Sequence, residues 1–452
     1  MNISKNWLHI GAGSFHRAHQ AWYLNELRRF GDFSWHLMLG NIREDQLDIQ
    51  KALLAQQGIY TLETIKPDGG KNYERIESIR EVILWEPGLN NLISRGSDIE
   101  TKIISFTVTE AGYYLDKDEN IIADNPDILS DFYGDRRTIY GVISSILENR
   151  RIKKSGSVTL LCCDNLRHNG QRFYHGLCQY LKASGQLDLL KWVASHIACP
   201  NTMVDRITPQ PSSESILRVK EYMGIDDEIP VTAESFIQWV IEDKFISDRP
   251  PLEKIGVDLV SDVIPFEEAK IRILNASHSC IAWAGTLEGK KYIHESISEN
   301  TIRDLVHNFI TFDVIPNLMP HPLDLEGYRD IVIERFTNPY IQDTNQRVST
   351  DGFSKMVEFI LPTISDSLNC GYLPQFGIKI VSLYYNFLKI WFDGRLPYEY
   401  KDSVLDREEV KKIFESTDPV STFVSSEIFF GKLIGNSLFV SSLNNEIRGK
   451  DC

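Results

Sequence analysis

The run W-L-H-I-G-A-G-S-F-H-R-A-H, Trp7 to His19, decides the fold. Its first residues, to Ile10, are a short apolar strand. A tight turn with Gly11 and Gly13 follows, and residues 18–29 have helical character ended by Gly31. A second apolar stretch, 35–42, then runs into Arg43-Glu44-Asp45. Strand, glycine turn, helix, strand and acid, in that order, predict a βαβ unit of the dinucleotide-binding kind. Gly11 makes the turn, Gly13 lets the backbone approach a pyrophosphate, and the helix N-terminus carries the anion. His16 stands where the generic fingerprint has its third glycine, so the place of the two glycines in the unit carries the inference. Glu44 or Asp45 would bond ribose hydroxyls and repel a 2′-phosphate, which favours NAD over NADP. The competing readings are a solvated charged turn and an Arg43 that accommodates the extra phosphate.

Outward from this unit, two further apolar runs end in polar residues. Residues 101–109 lead into Glu110, and 157–163 lead into Asp164-Asn165, with a helical stretch at 138–151 between them. Near-continuous apolar strands alternating with helices predict a parallel sheet covered on both faces. Ligands of such sheets lie at the carboxyl ends of the strands, which puts Glu110 and Asn165 at the mouth. Asn165 has a second reading, as the N-cap of a helix at 171–183.

From Cys199 the character changes. Cys199 to Pro209 is a proline-bracketed crossing and Pro209 to Ser213 reads as loop. A division into a first domain of residues 1–197 and a second of 198–452 follows. The second reads as mainly helical, with helices at 215–222, 302–315, 351–361, 378–393 and 407–415. Within it, residues 266–284 contain neither Gly nor Pro and read as one helix. At about 100° per residue, Lys270 sits at 0°, Glu267 near 60°, His278 near 80° and Asn275 near 140°. Leu274 and Ile271 share that arc, so the face is not simply solvated. One such residue alone is better read as an ordinary core or surface side chain. An amine, an amide and an imidazole together on a half-apolar arc point to a site.

Bulk properties exclude several classes. The 452 residues suffice for two or three domains. A formal net charge of −15 argues against nucleic-acid and anionic-membrane partners, which want a basic face. No apolar run approaches the roughly 18 residues of a membrane span, and the first residues lack the apolar core of a signal peptide. The seven cysteines (162, 163, 178, 199, 280, 370 and 452) form no Cys-x-x-Cys pair, which suggests reduced thiols, a cytoplasmic location and no zinc cage.

Six motifs taken together carry more than a generic signal. G-A-G-S-F-H-R-A-H (11–19), T-V-T-E-A-G-Y-Y (107–114), C-D-N-L-R-H-N-G (163–170), C-P-N-T-M-V-D-R-I-T-P (199–209), K-I-R-I-L-N-A-S-H (270–278) and R-F-T-N-P (335–339) resemble the polyol-specific long-chain dehydrogenases, the mannitol dehydrogenase family, in that family's order. The resemblance implies an α/β protein. Its N-terminal domain is an expanded Rossmann fold, its C-terminal domain is mainly α-helical, and the active site lies in the cleft between them. It implies NAD as cofactor, held by Gly11, Gly13, Phe15, His16, Arg17, Glu44, Asp45 and Glu110, and no metal. It makes Lys270 the general base, Asn165 and Asn275 hydrogen-bond donors to the reacting oxygen, and His278 a residue that holds the substrate. Glu267 lies on a proton exit, and Asp205, Arg347 and Lys355 line the substrate cleft. The implied reaction is reversible oxidation of D-arabinitol at C4 to D-xylulose. The alternatives are oxidation of D-mannitol to D-fructose and reduction of fructuronate or tagaturonate. A NAD-binding regulator without turnover is the non-enzymatic alternative, and retention of Lys270, both amides and His278 speaks against it. The expected partners are a small polyol or ketose, no nucleic acid and no membrane, in a monomer or small homo-oligomer.

Overall fold

Short, largely apolar segments buried on both faces build the six-stranded sheet of the first unit. The computed structural model describes residues 4–116, 118–209 and 213–449. The strands lie in the order Ile79–Val82, Trp35–Gly40, Lys5–Ile10, Thr101–Phe106, Val158–Cys162, Ile197–Ala198, all parallel. Numbered along the chain this is 3-2-1-4-5-6, the order of a doubly wound dinucleotide fold. Successive side chains of a strand point to opposite faces. Leu8 and Ile10 therefore pack with Ile104, Phe106 and the helices Ile139–Lys153 and Asn169–Ala183, while Trp7, Leu37 and Leu39 pack on the other face with Ala21, Leu24 and Leu27 of the helix Gln20–Arg29. The expected helix at 18–29 is two, Ser14–Ala18 and Gln20–Arg29, because His19 leaves helical geometry. The strand expected to reach 109 stops at Phe106, and Thr109 adopts a positive φ of 63°.

The boundary expected between 197 and 198 does not coincide with the packing. The first compact unit comprises the chain through Ile65 and Lys71–Ile264; the second comprises Lys66–Gly70 and the chain from Pro265. Two further sheets hold residues past 198 in the first unit. Val231–Glu234 pairs with Tyr60–Ile65, which also pairs with Lys71–Ile76, and Gln238–Glu242 lies between Thr202–Asp205 and Asp258–Val260. Trp239 is fully buried and stacks 5.8 Å from Trp7. A proline-rich change of composition marked a crossing inside the unit, and strand pairing carried the chain back. Part of the loop expected at 209–213, and Cys452, lie outside the described residues; the other six cysteines are free thiols.

The second unit is helical from Pro265 on, as expected. Its central helix runs through Ile264–Ala269, a π-helical stretch Lys270–Asn275 and Ala276–Leu287. The long helix Gln375–Phe392 packs against it, with Trp283 4.6 Å from Tyr384. Two expected helices are likewise interrupted by π turns, at Phe309–Val314 and Met356–Ile360, and both turns pack against Lys270–Asn275. Among the described residues no helix is long and apolar enough to cross a membrane.

Candidate active site

In the first unit the strand Lys5–Ile10 delivers the glycine turn to the carboxyl edge of the sheet. Gly11 has φ +128°, and a Cβ there would stand 2.6 Å from Thr107 Oγ1, so the chain itself demands glycine. Gly13 differs, since a Cβ there would meet no protein atom within 4 Å. Nothing in the fold requires glycine at 13, whereas close approach of an outside group would. His16 is fully buried and stacks on His9, with centroids 3.4 Å apart and planes 7° apart. His9 Nδ1 lies 2.7 Å from Ser105 Oγ, and His16 Nδ1 lies 3.3 Å from Gln20 Oε1. Burial lowers the pKa of both, that of His16 to about 3, so the stacked pair is neutral. The third glycine of the generic motif is thus replaced by a flat ring that fills the space by stacking. Phe15 stacks on His19 at 5.0 Å. The Arg17 guanidinium is buried and donates to Ile229 O at 2.5 Å, so the structure turns it into the first unit's own packing.

Glu44 and Asp45 open a short 3₁₀ turn four residues past the strand Trp35–Gly40, and both are exposed. Asn41 Nδ2 donates to Asp45 Oδ1 at 3.1 Å. Arg43 Nη2 donates to Tyr114 OH at 3.2 Å. Glu110 is exposed at the start of another 3₁₀ turn. Beneath it Asp164, which the sequence reading passed over, accepts from the backbone of Val108 (2.9 Å) and Thr109 (2.8 Å) and from Tyr113 OH (3.1 Å). Burial raises its pKa to about 6 against these bonds. Asn165 is exposed and does not cap the following helix, whose N-cap position is His168. That removes the capping explanation for its presence. Asp205 is buried at the end of the strand Thr202–Asp205.

In the second unit the π stretch changes the geometry read from a regular helix. Its hydrogen bonds span five residues instead of four, so residue i+5 moves toward alignment over residue i. Lys270 and Asn275, far apart in angle on an α-helix, are one π turn apart. π turns inside α-helices are frequent at functional sites. Lys270 is 6% exposed and Glu267 is buried one turn before it. His278 continues this helix, packs its ring 4.9 Å from Phe336, and has its Nε2 3.3 Å from Asp343 Oδ2. That contact is within ion-pair range, but its geometry falls short of an aligned hydrogen bond. Arg347 grips the same carboxylate in a two-pronged pair, Nε to Oδ1 at 2.6 Å and Nη2 to Oδ2. Lys355 Nζ donates to Val348 O at 2.7 Å.

Charge in this cluster follows from burial and neighbours. Burial, with lesser opposition from Asp343, lowers the pKa of His278. For Asp343 burial alone would raise it, but His278 and Arg347 outweigh that and hold it well below the usual carboxylate range. Burial and the nearby Arg347 bring the Lys355 amine down to about 8. The structure therefore gathers His278, Arg347 and Lys355, three of the residues singled out from sequence, around Asp343, which was not. Its one legible signal is the i,i+4 spacing from Asp343 to Arg347. Among the described residues no three His, Cys, Asp or Glu side chains form a group that could hold a metal ion.

Family models agree with this division. The model described as the mannitol dehydrogenase Rossmann domain matches residues 5–254, and that described as the mannitol dehydrogenase C-terminal domain matches 262–449. A D-arabinitol 4-dehydrogenase of Klebsiella pneumoniae is 49% identical over 447 residues, spanning 99% of this chain and 98% of that one. A second, of Ralstonia nicotianae, is 49% identical over 439 residues, spanning 96% and 94%. The ternary complex of Pseudomonas fluorescens mannitol 2-dehydrogenase with NAD and D-mannitol superposes with a TM-score of 0.85 at 31% identity, covering 99% of this chain and 92% of that one.

Proposed function

The chain belongs to the mannitol dehydrogenase family, and from that premise we propose that it is a NAD-dependent polyol dehydrogenase that oxidises D-arabinitol at C4 to D-xylulose. The observation that carries the substrate is the 49% identity, sustained over 99% of the chain, to a D-arabinitol 4-dehydrogenase. The cofactor is supported by the 3-2-1-4-5-6 strand order and by Gly13, where open space meets a backbone with no reason of its own to be glycine. NAD over NADP is supported by the exposed acids Glu44 and Asp45 and by the engagement of Arg43 with Tyr114. When bound, the cofactor accepts the hydride from carbon.

The chain's own residues handle the proton. Lys270 takes it from the reacting hydroxyl, which requires a neutral amine and therefore burial. Asn275, and Asn165 of the first unit, donate hydrogen bonds to the oxygen as negative charge grows there, each contributing roughly 2–4 kcal/mol in the transition state. A metal would serve as both activator and charge acceptor; an amine and two amides replace it. Glu267 offers a carboxylate one helical turn from Lys270 for proton exit, and Asp205, His278, Arg347 and Lys355 meet the remaining hydroxyls. Free thiols in the described chain support a reducing, cytoplasmic setting.

The test is NADH formation from D-arabinitol, D-mannitol, ribitol and xylitol, repeated with NADP, and NADH-driven reduction of D-fructuronate and D-tagaturonate. D-arabinitol with NAD is expected to give the highest kcat/KM, with D-mannitol second. An epimer leaves a buried donor or acceptor unpaired, at roughly 1–3 kcal/mol per mismatch. D-mannitol ahead by more than about tenfold, about 1.4 kcal/mol, would reassign the substrate. Uronates reduced faster than D-xylulose would reassign the reaction, and equal efficiency with NADP would reassign the cofactor.

A further inference from the structure

Asp343 lies at the centre of the second unit's polar cluster, with a side chain only 9% exposed. Its backbone is fixed from both sides. Asp343 O accepts from Ile293 N at 2.9 Å, Asn345 N donates to Lys291 O at 2.9 Å, and Thr344 pairs with Tyr292. Asn345, fully buried, donates from Nδ2 to Lys290 O at 3.0 Å. Gln342, just before, holds a positive φ of 52°, a conformation a non-glycine residue keeps only where its surroundings impose it. A carboxylate delivered by so constrained a segment is a fixed reference point for whatever touches it.

Two groups touch it. His278 Nε2 is 3.3 Å from Oδ2, so the carboxylate's charge lies against that edge of the ring and favours a proton on it. The Arg347 fork, by contrast, is 60% exposed and closes on both oxygens. The guanidinium keeps unused N–H donors, but its charge is cancelled at contact distance. The cluster then offers an imidazole and several N–H donors with little excess positive charge from Arg347. That matches a neutral hydroxyl, which both donates and accepts. At Arg347 it matches a carboxylate poorly, since a carboxylate only accepts and draws its affinity from an uncompensated cation; the cluster's other amine, Lys355, donates to Val348 O.

We propose that Asp343 is a positioning residue that sets specificity for uncharged polyols and ketoses over their carboxylate-bearing analogues, by orienting His278 and neutralising Arg347. This rests on the reading of the chain as a polyol dehydrogenase. The test compares the full-length wild type with Asp343→Asn and Arg347→Gln, which shift the local charge in opposite directions. Each is assayed for D-arabinitol oxidation and for NADH-driven reduction of D-xylulose and D-fructuronate. Thermal unfolding and NADH fluorescence titration report folding and cofactor binding.

In Asp343→Asn, KM for D-arabinitol should rise about tenfold or more with a smaller change in kcat. The ratio of kcat/KM for D-fructuronate over D-xylulose should rise at least tenfold, while it falls in Arg347→Gln. A purely structural role would lower both substrates alike and leave the ratio unmoved, which overturns the proposal, as would a ratio moving the same way in both variants. Should Asp343→Asn not fold, Arg347→Gln, altered at an exposed side chain, still decides: an unchanged or rising ratio refutes neutralisation. A wild type without polyol oxidation would sink the enzymatic reading itself. An active wild type whose ratio ignores both substitutions would sink only the role of Asp343.

Discussion

The glycine turn of the first unit and the central helix of the second solve opposite problems. Around Gly11 to His19 the buried imidazoles are kept neutral, His9 and His16 stacking as uncharged rings, the one buried cation, Arg17, is turned onto Ile229 O, and the backbone opens at Gly13. Around Lys270 to His278 the groups are charged or poised to be. Asp343 stays ionised between His278 and Arg347, and the Lys355 amine is brought down to about 8. A surface that receives a large anionic cofactor through backbone contacts gains by having little side-chain charge to desolvate. A surface that moves protons needs groups whose charge can change near neutral pH.

The contrast can be broken most decisively at the two amides. Asn275→Ala removes a donor from the π turn, and Asn165→Ala removes one from the first unit. Each should lower kcat about 10²–10³-fold with little change in NAD affinity. A large effect at Asn275 with none at Asn165 would confine the chemistry to the second unit and leave the first as cofactor holder alone.

A smaller effect, in stability rather than rate, sharpens the neutral side of the contrast. The unfolded His16 imidazole takes a proton below its ordinary 6.5, whereas the folded one refuses it down to about 3. The stability it contributes is therefore present above pH 6.5 and is lost as pH falls toward 3, by up to ~1.4 kcal/mol per pH unit. His9 acts in the same direction. Asp164 acts oppositely, since its pKa is raised to about 6 and its contribution is lost as pH rises through that value. Other buried carboxyls act with Asp164, Asp313 among them with a pKa also raised to about 6, so the prediction is a difference between proteins: from pH 7 to 4 His16→Phe should lose less melting temperature than the wild type. An identical pH slope in the variant would show that the ring is not held neutral.

The two regions were unequally legible in the sequence. Strand, glycine turn and helix follow from neighbours in the chain, so Trp7 to Arg29 could be read to within a few residues, while the helical start at Ser14 and the break at His19 escaped. The face of Lys270 could be recognised, but its geometry could not. Lys270–Asn275 winds as π where it packs against Phe309–Val314 and Met356–Ile360, partners distant in sequence that no local pattern reveals. Asp343 escaped because its meaning comes from His278, distant in sequence. The unit boundary escaped because Val231–Glu234 and Gln238–Glu242 return to strands laid down much earlier.

Everything turns on which amine is the base. Two lysines of the second unit are candidates on type alone, buried Lys270 in the π turn and half-buried Lys355 with a pKa of about 8. The pH dependence of kcat for D-arabinitol oxidation, measured on the wild type, Lys270→Ala and Lys355→Met, separates them. With Lys270 as base, the wild type rises with pH through one apparent pKa below the about 10.4 of free lysine. Lys270→Ala should lose that rise and at least ~10²-fold in kcat, while Lys355→Met should keep the rise and lose chiefly in KM. Near-normal turnover with an unchanged profile in Lys270→Ala, or a rise that disappears in Lys355→Met instead, would contradict the assignment of the base to Lys270.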